Sequence, residues 1–204
     1  MNAEALSNKI IHSAEGHQRF IVAIAGPPGA GKSTLAGELL GLLTKKNVQA
    51  RIISMDGFHL DNAILAERKL TDRKGAPATF DVAGFIHLMK RLTSLEDNVV
   101  IPTFDRNKDL SIAGAEVVSS NDRVLLVEGN YLLLKESQWA GLGVFWDQTI
   151  FINPGMDVLE KRLFDRWIEH GLGPEVAKLR ALSNDIPNAY WVIENSSGAD
   201  IHMT

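Results

Sequence analysis

The sequence predicts an α/β protein in three layers: a parallel central sheet of about five strands, helices on both faces, and a helical lid. Three observations carry that expectation. The stretch Phe20 to Thr34, FIVAIAGPPGAGKST, runs from six apolar or small residues through a glycine-rich turn into a segment whose leucines at 35, 39, 42 and 43 recur with helical spacing. The continuous apolar run Val124 to Val127, ending in Glu128, has the character of a central parallel strand buried on both faces. Strand-like and helix-like segments alternate along the chain, which favours a parallel sheet with right-handed crossovers.

With 204 residues and 45% hydrophobic content the chain can bury a full core, read as one domain over 1–204. Its 25 acidic and 21 basic residues give a net charge of −4 without any long run of like charge, which argues against a nucleic-acid or membrane surface. The absence of cysteine removes disulfides, thiolate catalysis and cysteine-ligated zinc. The first 19 residues lack a cationic start followed by an apolar run, and no apolar stretch approaches the ~20 residues that span a bilayer. A cytoplasmic protein with a small-molecule substrate is expected, and a homodimer stays open.

The order strand, glycine loop, helix is the context in which G-x-x-x-x-G-K-[ST] binds phosphate, and Gly26, Gly31, Lys32 and Ser33 meet that pattern. Glycines let backbone N–H groups turn inward around an anion, and the following helix adds the positive end of its dipole. The loop Gly26, Gly29, Ala30, Gly31, Lys32, Ser33 and Thr34 is therefore the expected nucleotide site of a P-loop NTPase fold. Lys32 would reach the β and γ phosphates, and the Ser33 hydroxyl would hold Mg²⁺.

Taken in order, residues 3–14 place Ala5, Leu6, Ile10 and Ile11 on one face of a short helix. Ala50 to Met55 is a second strand and ends in Asp56-Gly57-Phe58-His59. Ligands of doubly wound folds sit beyond the carboxyl ends of strands, so Asp56 is the candidate general base, with an Asp-Gly turn as the competing reading. Residues 60–79 are polar and read as a surface excursion with at most a short helix. Asp81 is the expected N-cap of a helix over 82–94, with Phe80 and Phe85 as its hydrophobic staple. Val99 to Thr103 reads as a third strand leading to Asp105 and Arg106. That pair is either at the substrate site or spent on Lys108 and Asp109. Residues 107–122 read as a hairpin or flap.

Glu128, at the end of its strand, is the expected partner of Ser33 on Mg²⁺. Gln148 to Asn153 is another strand, and Asn153-Pro154 is read as opening a helix with proline first. On that helix Arg162 and Arg166 lie four apart on one face, an arrangement favourable when an anion sits between them. Gly171 to Gly173 would end it and supply a lid hinge. Glu175 to Ser183 reads as a helix, Asn184 to Asn188 as a turn, and Tyr190 to Ile193 as a last strand.

These segments together resemble the small-molecule kinases that include uridine kinase, phosphoribulokinase and bacterial pantothenate kinase. The similarity runs through IAGPPGAGKSTLA, MDGFHLDN, RKGAPATFDV, IPTFDR, VEGNYLLL, FINPGMDVLEKRLFDRWIEHGL and NDIPNA. It is nearest to the group described as fructose-transport-system kinase-like. The resemblance implies Asp56 as catalytic base, Glu128 as Mg²⁺ partner, Arg162 and Arg166 as lid arginines, and Phe80 with Asp81 against the substrate. The departures lie at His59-Leu60, where uridine kinases continue into tyrosine, and at Phe104-Asp105-Arg106, where pantothenate kinases carry a histidine. Arg106 there would suit a polar or anionic substrate.

The expected function is thus ATP-dependent transfer of the γ-phosphoryl group to a hydroxyl of a small metabolite, with ATP and Mg²⁺ as cofactors. A nucleotide switch without an acceptor is the alternative; it predicts hydrolysis alone. An enzyme acting on a nucleoside monophosphate would need a second cationic pocket, for which Arg73 and Arg106 are the members in view.

Overall fold

A computed structural model of the chain describes residues 1–136 and 138–204. In chain order the elements are α1 (Ala3–Ser13), β1 (Phe20–Ala25), α2 (Lys32–Lys45), β2 (Ala50–Ser54), α3 (Asn62–Glu67), α4 (Val82–Thr93), β3 (Val99–Asp105), β4 (Leu110–Val118), β5 (Val124–Gly129), β6 (Gln148–Ile152), α5 (Met156–Glu169), α6 (Pro174–Arg180), α7 (Ile186–Asn195) and β7 (Ile201–Met203). The central sheet has the order β2-β5-β1-β6-β7 and every pair in it is parallel. A parallel sheet puts all its strand ends of one kind on one rim, so the segments leaving β1, β2, β5 and β6 converge there.

The two central strands β1 and β5 are buried throughout, as their unbroken apolar character requires. Side chains alternate across the sheet. Ile21, Ala23 and Ala25 join one core with Phe85, Met89 and Leu92 of α4, while Phe20, Val22 and Ile24 join the other with Leu6 and Ile10 of α1, Leu39 and Leu43 of α2, and Leu159 and Leu163 of α5. Those two cores are the two interfaces of a three-layer α/β fold.

The C-terminal third corrects the sequence reading. Asn184 to Asn188 is not a turn and Tyr190 to Ile193 is not a strand: a π-helical turn over Ala181–Asp185 runs directly into α7. Asn188, Ala189 and Val192 are its buried positions, a helical spacing, whereas Tyr190 is exposed. The fifth strand of the sheet is instead the short β7, paired with β6 from Ile150↔Ile201 to Ile152↔Met203. Val99–Asp105 does form a strand, but it pairs only with β4 in an antiparallel hairpin outside the central sheet. Asp109, at φ 53°, sits in the short turn that makes antiparallel pairing the accessible solution. Pro154 does not open α5. Asn153 donates its N–H to the Met203 carbonyl, its side chain accepts the Gly155 N–H, and Gly155 is the N-cap.

No helix among the described residues is long and apolar enough to cross a membrane.

Candidate functional site

Beyond the carboxyl ends of β1, β2, β5 and β6 lies a cleft of about 1160 Å³. It occupies the place where the connections leaving the adjacent strands β1 and β5 run in opposite directions across the sheet, β1 to β2 and β5 to β6, the topological switch point at which open α/β sheets bind ligands. The loop after β1 forms one wall. Gly31 is the N-cap of α2 in the left-handed region (φ 100°), a conformation an L side chain adopts only with strain. Having no side chain, it leaves the first-turn N–H groups of α2 uncapped at the cleft. Gly26 serves the loop from behind: a Cβ there would collide with the Ile152 carbonyl, so glycine lets the loop pass close to β6.

Lys32 is buried and donates from Nζ to the Pro27 carbonyl at 2.9 Å. Burial pushes its pKa down to about 8, against the pull of Glu128 and Asp56 in the other direction. A desolvated ammonium beside uncapped amides is short of negative charge, which a polyphosphate would supply.

Glu128 faces the loop from β5. It accepts from the Ser33 hydroxyl at 3.1 Å and also from the Ser54 hydroxyl at the end of β2. Ser54 in turn accepts the Asp56 N–H at 3.2 Å, so one hydroxyl fixes both carboxylate-bearing segments. The register places Ser54 opposite Glu128, which is why this relay can form. One carboxylate with a serine hydroxyl suits Mg²⁺, which keeps several waters and takes the rest of its shell from substrate phosphates. Among the described residues no cluster of three acidic or histidine side chains could cage a metal by protein atoms alone.

Asp56 stands on the helical turn Met55–Phe58, and its Oδ2 is 3.1 Å from Nη2 of Arg106 on the β3–β4 turn. Around them the cleft is walled by His59, Phe80, Phe104, Lys74 and Asp109. The His59 ring lies between Phe80 and Phe104, with centroids 4.1 and 4.6 Å away, and its Nδ1 is 2.8 Å from the Asp56 carbonyl. Burial lowers its pKa and favours the neutral ring. Lys74 is spoken for by Asp109 at 2.8 Å and Asn62 at 2.7 Å. Its segment is pinned by Tyr131 Oη donating to the Gly75 carbonyl and Asn184 Nδ2 donating to the Lys74 carbonyl.

The third wall is α5 with α6. Arg162 donates to the Gly29 and Ala30 carbonyls at 3.1 and 3.3 Å, docking α5 on the glycine loop. Arg166 and Arg180 both lie 5.4 Å from the Trp167 ring, and Trp167 Nε1 donates to the buried Asp185 carboxylate at 2.6 Å. Arg166 Nε is buried without an acceptor among the described residues. Among the described residues no carboxylate forms an ion pair with Arg162 or Arg166, and Asp165 pairs with Lys161 instead.

The structure thus brings Gly29, Ala30, Gly31, Lys32, Ser33, Thr34, Asp56, Phe80, Arg106, Glu128, Arg162 and Arg166 to one cleft. Two expected residues are not in its lining. Gly26 lies behind the loop, and Asp81 is exposed, its carboxylate occupied as N-cap by the Gly84 N–H at 2.9 Å. Phe80 faces the cleft, and the next residue, Asp81, starts α4. Arg73 is also outside the cleft. Sequence reasoning missed His59, Lys74, Phe104, Trp167 and Arg180. The signal was present in RKGAP, whose polar residues read as a surface excursion, and in His59, which stands out in the sequence only as a departure from the family pattern.

Comparison with known proteins points the same way. The profile of the phosphoribulokinase/uridine kinase family matches residues 21–169. A crystal structure described as a "putative fructose transport system kinase" from Silicibacter sp. TM1040 superposes with a TM-score of 0.95 at 41% identity, covering all of both chains. The uncharacterized protein YggC of Escherichia coli (strain K12) is 34% identical over 94% of this chain and 80% of its own. A "putative uridine kinase" of Schizosaccharomyces pombe is 31% identical over 97% of this chain and 88% of its own. By motif, by fold and by these matches, the chain belongs to the phosphoribulokinase/uridine kinase family of P-loop kinases.

Proposed function

We propose that this protein transfers the γ-phosphoryl group of ATP to a hydroxyl of a small metabolite, with Asp56 as the base. The observation that carries the reading is the convergence on one rim of three parts: an uncapped helix N-terminus with its buried lysine, the Ser33–Glu128 pair, and a second carboxylate, Asp56, facing an aromatic-walled lobe. Bound there, Mg²⁺ and ATP would supply the electrophilic phosphoryl group and part of the neutralising charge.

The residues divide the work. The first-turn amides and Lys32 hold the phosphates, and Ser33 with Glu128 holds the metal. Arg166, with a buried donor to spare, adds positive charge over the loop, while Arg162 keeps α5 seated on it. Asp56 orients the acceptor hydroxyl and takes its proton at a carboxylate oxygen. Trp167 and its two arginines close one side against water.

The test is acceptor-dependent ADP release across sugars, hydroxy acids, nucleosides and pantothenate, in wild type and Asp56→Asn. A positioned base is worth ~10²–10⁴ in rate, and a loss of that size with ATP binding retained is expected. ADP formed equally without any acceptor, and unaffected by the substitution, would sink the reading in favour of a nucleotide switch.

A further inference from the structure

The ion pair across the acceptor lobe has a consequence for what that lobe can take. Asp56 and Arg106 come from elements far apart in sequence, and their side chains are 26% and 56% exposed. The neighbouring carboxylates, and Lys32, are committed elsewhere. Asp105 accepts the Asn107 and Lys108 N–H groups and pairs with the Lys108 ammonium at 3.4 Å. Asp109 pairs with Lys74. Glu128 is held by two serines, and Lys32 by the Pro27 carbonyl. Among the described residues, Asp56 is therefore the single carboxylate that engages Arg106.

A base in that state is masked. One of its oxygens accepts from a guanidinium, which holds the carboxylate away from an incoming hydroxyl. A neutral polyol gives Arg106 nothing to exchange for Asp56. An acceptor that carries its own anion does, because a carboxylate or phosphate matches the planar guanidinium fork better than one carboxylate oxygen at 3.1 Å. Exposed ion pairs are weak and exchange partners readily.

Resting on the kinase reading above, we infer that the phosphoryl acceptor is a small hydroxy compound bearing an anionic group. That group takes Arg106 and so releases Asp56 to the hydroxyl. Arg106 is then a specificity-determining residue, and charge on the acceptor is part of what activates the base. Carboxylate and phosphate monoester share the required chemistry.

Three matched pairs test it: glycerate against glycerol, gluconate against sorbitol, and fructose 6-phosphate against fructose. Each is assayed for ADP release sensitive to Asp56→Asn, with wild type, Arg106→Gln and Arg106→Lys. For a turned-over pair, kcat/KM for the charged member is expected to exceed that of the neutral one by about tenfold or more, the size of a charge-assisted contact. Arg106→Gln should abolish that preference through acceptor KM, leaving KM for ATP within about twofold, and Arg106→Lys should restore part of it. The carboxylate pairs and the phosphate pair separate the two anions. Neutral members turned over as well as charged ones, with Arg106→Gln changing neither, would overturn the inference and leave the kinase reading standing. A rise in KM for ATP alone would also overturn it, placing Arg106 on the donor side. Asp56-sensitive turnover of no acceptor at all would remove the kinase reading, and the inference with it.

Discussion

Replacing Lys32 with methionine is expected to stabilise the empty protein while abolishing its response to nucleotide. The unbranched thioether fills much of the space of the lysine stem without a charge. Burial lowers the Lys32 pKa from 10.5 to about 8. Keeping it charged at neutral pH therefore costs about 3 kcal/mol, at about 1.4 kcal/mol per tenfold change. The substitution also orphans the Pro27 carbonyl, which costs ~1 kcal/mol, so the net gain is about 2 kcal/mol. For a chain of this size that raises Tm by about 4–8 °C.

The gain has a defined pH window. Below pH 8 Lys32 is protonated folded and unfolded alike, and the whole penalty is present. Between pH 8 and 10.5 the folded chain releases its proton first, so wild-type stability rises and the advantage of the variant fades. Thermal denaturation of both proteins at pH 7 and near pH 9.5, with and without Mg²⁺ and ATP, reads this directly. The variant should lead at pH 7, draw level near pH 9.5, and show no nucleotide-induced shift at either. A variant less stable than wild type by the same margin at both pH values would refute the picture of Lys32 as a desolvated charge waiting for phosphate.

Two further perturbations probe the other walls. A Cβ on Gly57 would lie 2.7 Å from the Pro102 carbonyl oxygen and 2.9 Å from its carbon, so Gly57→Ala must push the Asp56 turn away from β3. Overpacking of this kind costs ~1–3 kcal/mol, and acceptor-dependent turnover should fall while the ATP-induced rise in Tm persists; an unchanged Tm and rate would deny the close approach. Glu128→Gln should raise the Mg²⁺ concentration for half-maximal activity by about tenfold or more, read by Mg²⁺ titration at saturating ATP, and an unchanged requirement would remove Glu128 from the metal site.

The parts of the fold that were legible are those where one local rule settles the matter. Phe20–Ala25 is apolar on both faces and too short for a buried helix, and the glycines after it break it cleanly, so it reads as strand, loop and helix. Asp81 as N-cap of α4 was equally plain, and the structure has it accepting the Gly84 N–H. The failures lie where tertiary contacts reverse the local signal. Asn184, Asp185 and Asn188 have the polarity of a turn, yet all three are buried: Asn184 donates to the distant Lys74 carbonyl, Asp185 accepts from Trp167, and Asn188 donates to Asn184. With those polar groups satisfied, the segment continues as helix and YWVI is carried into α7. β7, with three residues, is too brief to show any period. The candidate site divides in the same way. Lys32 and Ser33 open α2 after the glycine loop, and Asp56 and Glu128 stand at strand ends, places that the sequence marks. His59 and Lys74 become cleft walls only when the β3–β4 turn folds over them and brings Phe104 and Asp109 into contact.

The most direct measurement is a crystal structure of the protein with Mg²⁺ and a non-hydrolysable ATP analogue. The phosphates are expected against the backbone amides at the start of α2, with Lys32 Nζ moved from the Pro27 carbonyl onto them and the terminal phosphate facing Asp56. A nucleotide bound elsewhere, or a terminal phosphate turned away from Asp56 with Lys32 still on Pro27, would contradict a phosphoryl transfer built on this cleft.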